Sequence, residues 1–444
     1  MRDLFLVILF PFFLYYGFRT PVVALYLWFW TSMYPLQNWL FGFGLSLRFN
    51  MVFSLATMLG YVFMKNKPAF KMSGLLALIL IFTFHSALGG ALYGAYSGVW
   101  TKFEYFFKVM LFFIFTVLLL RKKEHFEAIL LYLCLALCFF GVMEGMKVIL
   151  SGGGHKMAGI HGPLGDNNKV ALGLNMTIPL ILYLITHVKD KYIKLALKGA
   201  AFFCIMAIIG TGSRGGFIGL VFMAIYYWWK NGKKMSIVFS ALLIAALVAV
   251  LMPSSWFERM ETIDNNSSNN KEEVSPLTSR VTSWKLNYLA ALDHPFVGWG
   301  FNSTAVKGVW INYVYDLGSL DWGVDTPIPT KGYVAHSIYF EVLGNQGFLG
   351  LFMFLLIIFL TLTKISSLQR TYYKKGNWQS DLLNAIKVSI ATFCICGAAL
   401  SAAYFELLYL LIALVLCLEI AAKTSEKVMK LDENGMRIKS NTVV

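Results

Sequence analysis

Apolar runs of nearly membrane-spanning length recur along this chain from one end to the other. A helix needs about 20 consecutive apolar residues to cross the hydrocarbon core of a bilayer. Only 14% of the 444 residues are charged, which is too few to cover a soluble protein of this size, where about 25% is usual. The runs are continuous and do not alternate, so a transmembrane barrel is excluded. The pattern predicts an all-α polytopic membrane protein.

Thirteen candidate spans follow from the hydropathy pattern, or twelve if the first two form one element interrupted at Arg19 and Pro21. Because the first run leads directly into further spans, no cleavable signal peptide is expected. The candidate spans lie at about 4–18, 21–38, 49–64, 72–95, 104–120, 126–149, 168–187, 193–210, 214–229, 236–252, 338–363, 384–402 and 404–422.

Lysine and arginine concentrate in every second connection and in the tail, and this alternation orients the chain. The positive-inside rule places these segments in the cytoplasm, which explains the net charge of +15 without a nucleic-acid partner. The basic connections include those that hold Lys65, Lys122, Lys191, Lys233 and Lys374. The predicted division is a membrane domain over 1–252, a large periplasmic loop over 253–337, a membrane domain over 338–422 and a cytoplasmic tail over 423–444.

The long segment 253–337 is the one region with the composition of a soluble protein, rich in Asn, Ser and Gly. A loop of this length is usually functional or disordered. The stretch 279–293 is predicted to be a helix that ends at His294-Pro295, and Gly298-Trp299-Gly300 is predicted to make a tight turn. The Asn-rich stretch 265–270 is predicted to be a flexible tip.

A glycine-rich turn from Gly210 to Gly216 joins two spans on the predicted outer face. Ser213 is suited to cap the following helix, whose start then presents unpaired N–H groups and the positive end of the helix dipole. Arg214 adds a bidentate donor, so the pattern predicts a phosphate site. The structural alternative is a tight helical hairpin whose arginine reaches the membrane surface.

Two residues of the long loop are further candidates. Arg280 begins the predicted loop helix, where arginine is also an ordinary surface residue. His336 lies at the end of the loop, where it could act as a general base near neutral pH or simply face the membrane–water boundary. Ser337 is predicted to cap the span that follows.

The connection 151–169 is also predicted to lie outside. Its residues Lys156, His161 and Lys169 suit an anionic or sugar group, although they equally suit an exposed loop. Glu406 lies near the outer end of its span, where an ionisable residue is costly and indicates either function or pairing.

The predicted cytoplasmic side carries no motif for chemistry, neither a phosphate loop nor a helical zinc motif. The outer side collects two arginines, a candidate base and a long loop, which favours a transferase that acts on a lipid-borne anionic donor. ATP is not available there, so the donor must carry its own activation, as a lipid pyrophosphate does. All six cysteines lie within apolar runs, so neither a disulfide nor a metal site is expected.

Three short motifs follow one another around the long loop. In their order along the chain and their predicted position on the outer side of the membrane, they resemble the O-antigen ligase and polymerase superfamily of bacterial envelopes. This superfamily includes bacterial protein O-oligosaccharyltransferases. The opening Met1-Arg2-Asp3-Leu4 is similar to a subgroup of O-glycosylation ligases. The resemblance is strongest over about residues 160–350. The motifs are Thr211-Gly212-Ser213-Arg214-Gly215-Gly216, Arg280-x3-Trp284 with Pro295-x2-Gly298-x-Gly300, and His336-Ser337-x6-Gly344-x2-Gly347.

The resemblance implies a GT-C-like fold in the bacterial inner membrane, an undecaprenyl-diphosphate-linked glycan as donor, and catalysis without metal or other cofactor. Carried over, Arg214 and Arg280 bind the diphosphate and His336 is the catalytic base. The ligases of this family have twelve spans and both ends in the cytoplasm. Thirteen spans would place the N-terminus of this chain outside, and the difference from the family lies in whether the first two predicted spans are separate, not in the site. By their placement, Ser213, Lys169 and His161 are added to the donor site, and Lys156 and Glu406 are added as accessory residues.

The expected reaction is an inverting transfer of the glycan to an acceptor hydroxyl. The subgroup resemblance favours Ser or Thr of a secreted protein such as a pilin. The alternatives are an O-antigen ligase that modifies the lipid A core, a polysaccharide polymerase, and a flippase or transporter of lipid-linked glycan. A flippase predicts charged residues along a path through the bilayer, whereas the ionisable residues here cluster on one side, which favours the enzyme.

Overall fold

A computed structural model describes most of the chain. The described residues form α-helices and short 3₁₀ turns and contain no β-strand, which confirms the all-α prediction for this part of the chain. The residues described are 2–34, 36, 40, 42–68, 70–93, 98–155, 157, 159, 162, 164–230, 235, 238, 242, 246, 276–326, 328–329, 331–372 and 377–433.

The helices follow the predicted apolar runs closely. Of the predicted span 236–252 only residues 238, 242 and 246 are described, and the predicted tip 265–270 lies outside the described residues. The helices are α1 (Arg2–Arg19), α2 (Pro21–Met33), α3 (Phe49–Val62), α4 (Gly74–Tyr93), α5 (Val99–Leu119), α6 (Lys123–Leu150), α7 (Asn167–His187), α8 (Lys191–Gly210), α9 (Arg214–Lys230), α10 (Pro276–Asp293), α11 (Lys307–Trp310), α12 (Ile338–Thr371), α13 (Trp378–Gly397) and α14 (Glu406–Glu433).

Six of the described helices are long and apolar enough to cross a membrane, namely α4, α6, α7, α8, α12 and α13. The chain is therefore a multi-pass membrane protein. The apolar helices α2 and α3 are shorter, with 13 and 14 residues, and span only about 20 Å at 1.5 Å per residue. The total of twelve or thirteen spans stays a prediction.

The first two predicted spans are separate helices. Thr20 stands between them in an extended conformation, and Pro21 occupies the first position of α2, where a missing N–H costs nothing. Helices α1, α2 and α3 pack against one another. The chain therefore breaks where Arg19 and Pro21 indicated.

The predicted span 338–363 is not one continuous helix. Gly347 within α12 has φ 68° and ψ −172°, which interrupts the helical path after nine residues. The apolar pattern alone could not show this break, because apolar residues continue on both sides of it. The short first part of α12 carries the polar residues of the site, and the longer second part is the apolar one.

Contacts between helix ends divide the bundle into two faces. On one face, the Asn167 amide of α7 donates to Thr211 O at 2.9 Å. On the other face, His187 at the end of α7 lies 3.0 Å from Asp381 at the start of α13. Helices α7 and α13 therefore run antiparallel, and the Ser389 hydroxyl of α13 donates to Met176 O between the two faces. We call the face with Asn167 the site face.

The described part of the long loop lies on the site face and has a small core of its own. It combines α10 with the turns that follow, and the Trp299 indole donates to Tyr313 Oη at 2.7 Å. Tyr313 in turn donates to Asp293 at 2.8 Å. The core residues are Leu286, Ala290, Val309, Trp310, Tyr313, Val314 and Leu317. Through α10, this loop packs along α12.

Candidate functional site

The start of α9 forms the first wall of the site. The Ser213 hydroxyl accepts from the Gly216 N–H at 3.1 Å, which confirms the predicted cap. Gly212 adopts φ 62°. This backbone conformation is unfavourable for residues with a Cβ, so glycine suits this position in the turn between α8 and α9. The bond from Asn167 to Thr211 fixes this turn against α7. Arg214 is thereby held at the first position of a capped helix.

The second wall is α10, which carries Arg280 and is locked onto the break in α12. Gly298 N–H donates to His294 O, which closes a turn just before the predicted one at Gly298–Gly300, and Gly300 N–H donates to Asn345 O at 2.9 Å. A Cβ on Gly298 would lie 2.4 Å from the Gln346 nitrogen, and one on Gly347 would lie 2.4 Å from Pro295 O. The segment around Gly298 and the break at Gly347 are distant in sequence but therefore pack closely against each other.

His336 stands directly before α12 in a strained conformation. Its φ is 48°, in the left-handed region that non-glycine residues rarely occupy. Its N–H donates to Ser401 Oγ at 2.7 Å. Ser337 occupies the cap position, but its hydroxyl makes no capping bond, so the predicted side-chain cap is wrong. The Ser337 carbonyl instead accepts from Glu341 N–H at 2.8 Å.

The fold brings Arg280 into electrostatic range of both Arg214 and His336. Burial lowers the pKa of Arg280, and the neighbouring Arg214 lowers it further. Arginine nevertheless stays charged at any physiological pH. Two half-buried guanidinium groups repel each other, so an anion between them would relieve the repulsion and accept several bonds. This part of the site is suited to a phosphate or diphosphate.

Burial and nearby cations keep His336 neutral. Burial of the ring lowers its pKa from the ordinary value of 6.5, and the charge of Arg280 lowers it further. Lys169 acts in the same direction, whereas Asp166 raises the pKa. A neutral imidazole at neutral pH has a free nitrogen lone pair and can accept a proton.

Asp166 and Lys169 connect the start of α7 to this site. Asp166 accepts from the backbone N–H of Lys169 at 2.9 Å and caps α7. The Lys169 ammonium lies 3.5 Å from the same carboxylate. Both charges lie in electrostatic range of His336. Lys169 therefore lies near another candidate residue of the site, and its predicted role in donor binding stays a prediction.

A cavity of about 310 Å³ opens beside His336 on the site face. Ser401, which holds the His336 N–H, and Lys169 both line it. The described residues that line it are Lys102, Tyr105, Gly162, Lys169, Ser401, Ala402, Tyr404 and Phe405. Behind it, Glu341 is buried, accepts from Ala403 N–H at 2.8 Å and lies in electrostatic range of Lys102 and Lys169.

The remaining predicted residues fall into two groups. Lys156 and His161 lie outside the described residues. Glu406 is buried and accepts from the Ser32 hydroxyl at 2.6 Å. It therefore stands next to the cavity-lining Phe405 without lining the cavity itself.

Lys102, Ser401 and the role of Asp166 were missed from the sequence. Ser401 belongs to no motif, and Lys102 stands near the charged pair Glu104–Lys108, which is a local helical ion pair at 2.5 Å. The only signal for either was its predicted position on the outer face. Among the described residues, no group of three His, Cys, Asp or Glu side chains is placed to hold a metal ion.

Two parts of the chain match known protein families. Residues 1–189 match a family of unknown function, DUF5935, and residues 199–355 match the O-antigen ligase family. No curated protein matches the chain. The second match contains Arg214, Arg280 and His336. The part of the chain that carries these three residues is therefore similar to the O-antigen ligase family.

Proposed function

We propose that this protein transfers a glycan from an undecaprenyl-diphosphate donor to an acceptor hydroxyl at the periplasmic face of the bacterial inner membrane. The O-antigen ligase match supports a ligase or glycosyltransferase type of enzyme with a lipid-linked glycan donor and an acceptor. The observation that supports the proposal is that Arg280 lies in electrostatic range of both Arg214 and His336, although the three residues come from separate segments of the chain.

The two arginines stabilise the leaving group. As the bond between the anomeric carbon and the diphosphate oxygen breaks, negative charge grows on that oxygen. Arg214 and Arg280 already repel each other in the free protein, so they gain most when this charge is greatest. Interactions that are stronger in the transition state than in the ground state accelerate the step.

His336 activates the acceptor. The acceptor oxygen forms the new bond to the anomeric carbon, and its proton passes to the free imidazole nitrogen of His336. The lowered pKa of His336 keeps this nitrogen available near neutral pH. The strained backbone and the bond to Ser401 hold the ring in one place, as expected where strain persists at a functional site. A single displacement of this kind inverts the anomeric configuration.

For the acceptor we propose Ser or Thr of a secreted protein such as a pilin, on the basis of the subgroup resemblance. The described loop that borders the site is built from α10 and short turns and lies outside the apolar bundle, where an extended polypeptide has access to it. A lipid A core or a growing glycan chain would reach the same site from the membrane surface or from the periplasm.

Reconstitution tests both the reaction and the acceptor. The purified protein is placed in liposomes with undecaprenyl-diphosphate glycan and, in separate reactions, a pilin-type protein, lipid A core or free glycan. We expect glycan on Ser or Thr of the protein, formed about 10²–10⁴-fold more slowly by the His336→Ala variant. Transfer to lipid A core or glycan alone would refute the protein acceptor. Movement of labelled donor across the bilayer without any transfer would favour a flippase and refute the enzyme.

A further inference from the structure

The cavity beside His336 is lined by a lysine side chain that has no role in the proposed reaction. Lys102 lines it from the first turn of α5 and forms no ion pair with any residue that the structure describes. Its ammonium group instead lies 5.6 Å from the centre of the Tyr105 ring. Lys169 lines the same cavity, 3.5 Å from Asp166. A half-buried ammonium without a carboxylate partner has an unmet preference for an anion.

The acidic groups near the cavity do not satisfy Lys102. Glu341 is buried behind the wall in electrostatic range of Lys102, but its carboxylate is held by the Ala403 N–H and forms no ion pair with Lys102. Glu406 is also buried and is bonded to Ser32. Neither lines the cavity, whereas Lys102 and Lys169 both do. The charge presented to a ligand in the cavity is therefore positive.

The other lining groups suit a sugar. Tyr105, Tyr404 and Phe405 line the cavity with aromatic rings, which pack against the apolar face of a sugar ring, and Ser401 offers a hydroxyl group. The volume of about 310 Å³ is at the lower end of small-molecule sites, which span about 300–1,000 Å³. The space therefore fits one sugar unit and not a whole oligosaccharide.

The cavity is distinct from the arginine pair. Neither Arg214 nor Arg280 is among the described residues that line the cavity. Lys169, which lines it, and Arg280 both lie in electrostatic range of His336, so the cavity and the arginine pair are neighbouring parts of one site. In a single displacement the leaving diphosphate and the attacking acceptor stand on opposite sides of the anomeric carbon. A group in the cavity therefore belongs to a sugar or acceptor near the reacting carbon and not to the leaving diphosphate.

We propose that this cavity binds a carboxylate or phosphate carried by a sugar unit, either of the donor glycan or of the acceptor, and that Lys102 recognises its charge. This inference rests on the proposed function for its biological meaning, but binding to the cavity is measurable without any transfer. It makes the protein selective for acidic over neutral carbohydrate.

Equilibrium binding to the full-length protein in nanodiscs tests the proposal. The probes are glucuronate, glucose 6-phosphate and glucose. We expect at least one acidic probe to bind about tenfold or more tightly than glucose, since a charged hydrogen bond contributes about 1.5–3 kcal/mol. Lys102→Gln should remove this preference and Lys102→Arg should keep it. Lys108→Gln is the matched control, because Lys108 lies on the same helix and is paired with Glu104 at the exposed surface.

The result that would overturn the proposal is equal binding of glucose and both acidic probes, or an equal loss in the Lys102→Gln and Lys108→Gln variants. Binding of undecaprenyl diphosphate is measured on every variant and should not change, which also shows that each variant is folded. If the lipid diphosphate binds and no acidic probe does, the cavity proposal fails and the proposed function stands. If Lys102-dependent binding is found without lipid binding, the proposed function fails instead.

Transfer assays then separate the two sources of the charge. With an acidic donor glycan and a neutral acceptor, Lys102→Gln should lower kcat/KM only if the charged sugar belongs to the donor. With a neutral donor glycan and an acidic acceptor, the loss should appear only if it belongs to the acceptor. Loss in neither arm refutes a role for the cavity in substrate selection.

Discussion

The backbone N–H of His336 donates a 2.7 Å hydrogen bond to the Ser401 hydroxyl, which lies 65 residues further along the chain. This bond joins the end of the long loop to the turn between α13 and α14. It holds a residue whose φ of 48° is unfavourable without such support. The position of the proposed base therefore depends on a hydroxyl group in a segment without any motif.

Ser401→Ala should lower kcat with little change in the KM for the donor. The variant leaves a half-buried N–H without its acceptor, which costs about 1–3 kcal/mol and should displace His336, lowering kcat by about 10- to 100-fold. Ser401→Thr keeps the hydroxyl and should retain most of the activity. Wild-type kcat in the alanine variant would show that this bond does not position the base.

Arg214→Lys and Arg280→Lys should each weaken the binding of undecaprenyl diphosphate by about tenfold or more. The charge is kept, but the planar fork that binds two phosphate oxygens at once is lost. Arg370→Lys is the control, because Arg370 lies in the last turn of α12, away from the site face. Donor affinity is measured directly, and unchanged affinity in both site variants would contradict the clamp.

His336→Ala should fold, insert and bind donor normally but transfer glycan about 10²–10⁴-fold more slowly, the usual cost of removing a general base. His336→Gln should be similarly slow, because an amide cannot take the proton. Substantial activity in the glutamine variant would mean that His336 orients the acceptor by a hydrogen bond and is not the base.

The pH dependence of kcat/KM should have an acidic limb below the ordinary histidine value of 6.5, because the pKa of His336 is lowered. The active form is neutral, so activity is present above that pKa and is lost as pH falls through it. Asp166 raises this pKa, so Asp166→Asn should move the limb to still lower pH. Asparagine also caps helices, which keeps the start of α7 intact. A shift to higher pH would contradict the assignment of the limb to His336.

Gly298→Ala should destabilise the folded protein by about 1–3 kcal/mol or more. The residue has φ 61°, and the added Cβ would lie 2.4 Å from the Gln346 nitrogen. Gly318→Ala is the matched control in the same loop, since nothing lies within 4 Å of a Cβ at that position. The melting temperature in detergent is the measurement, and equal values for the two variants would show that the loop and α12 do not interlock as described.

The membrane class and most helix positions could be predicted from the sequence, because continuous apolar runs report directly on the solvent that surrounds them. The break before Pro21 and the helix that ends at Asp293 were also predictable. These signals are local: proline and glycine change the backbone at their own positions. The side of the membrane on which the site lies remains a prediction from the alternation of basic connections.

Other features required long-range contacts. At the break at Gly347, Pro295 O from a different segment accepts from Phe348 N–H and lies where a side chain on Gly347 would stand. Ser337 follows the cap pattern, yet its hydroxyl makes no cap bond. A local pattern states what a residue can do, whereas tertiary packing decides which of the possible contacts forms.

The sequence by itself determined that this chain lies in a membrane as a helical bundle, and it identified Arg214, Arg280 and His336 through short motifs. Only the tertiary structure brought Arg280 near both Arg214 and His336, placed Asp166 and Ser401 near His336, and put Lys102 in the same cavity as Ser401. The reason is physical: hydropathy and turn signals act over a few residues, whereas the electrostatic field and the cavity at a site are sums over segments that meet only after the helices have packed.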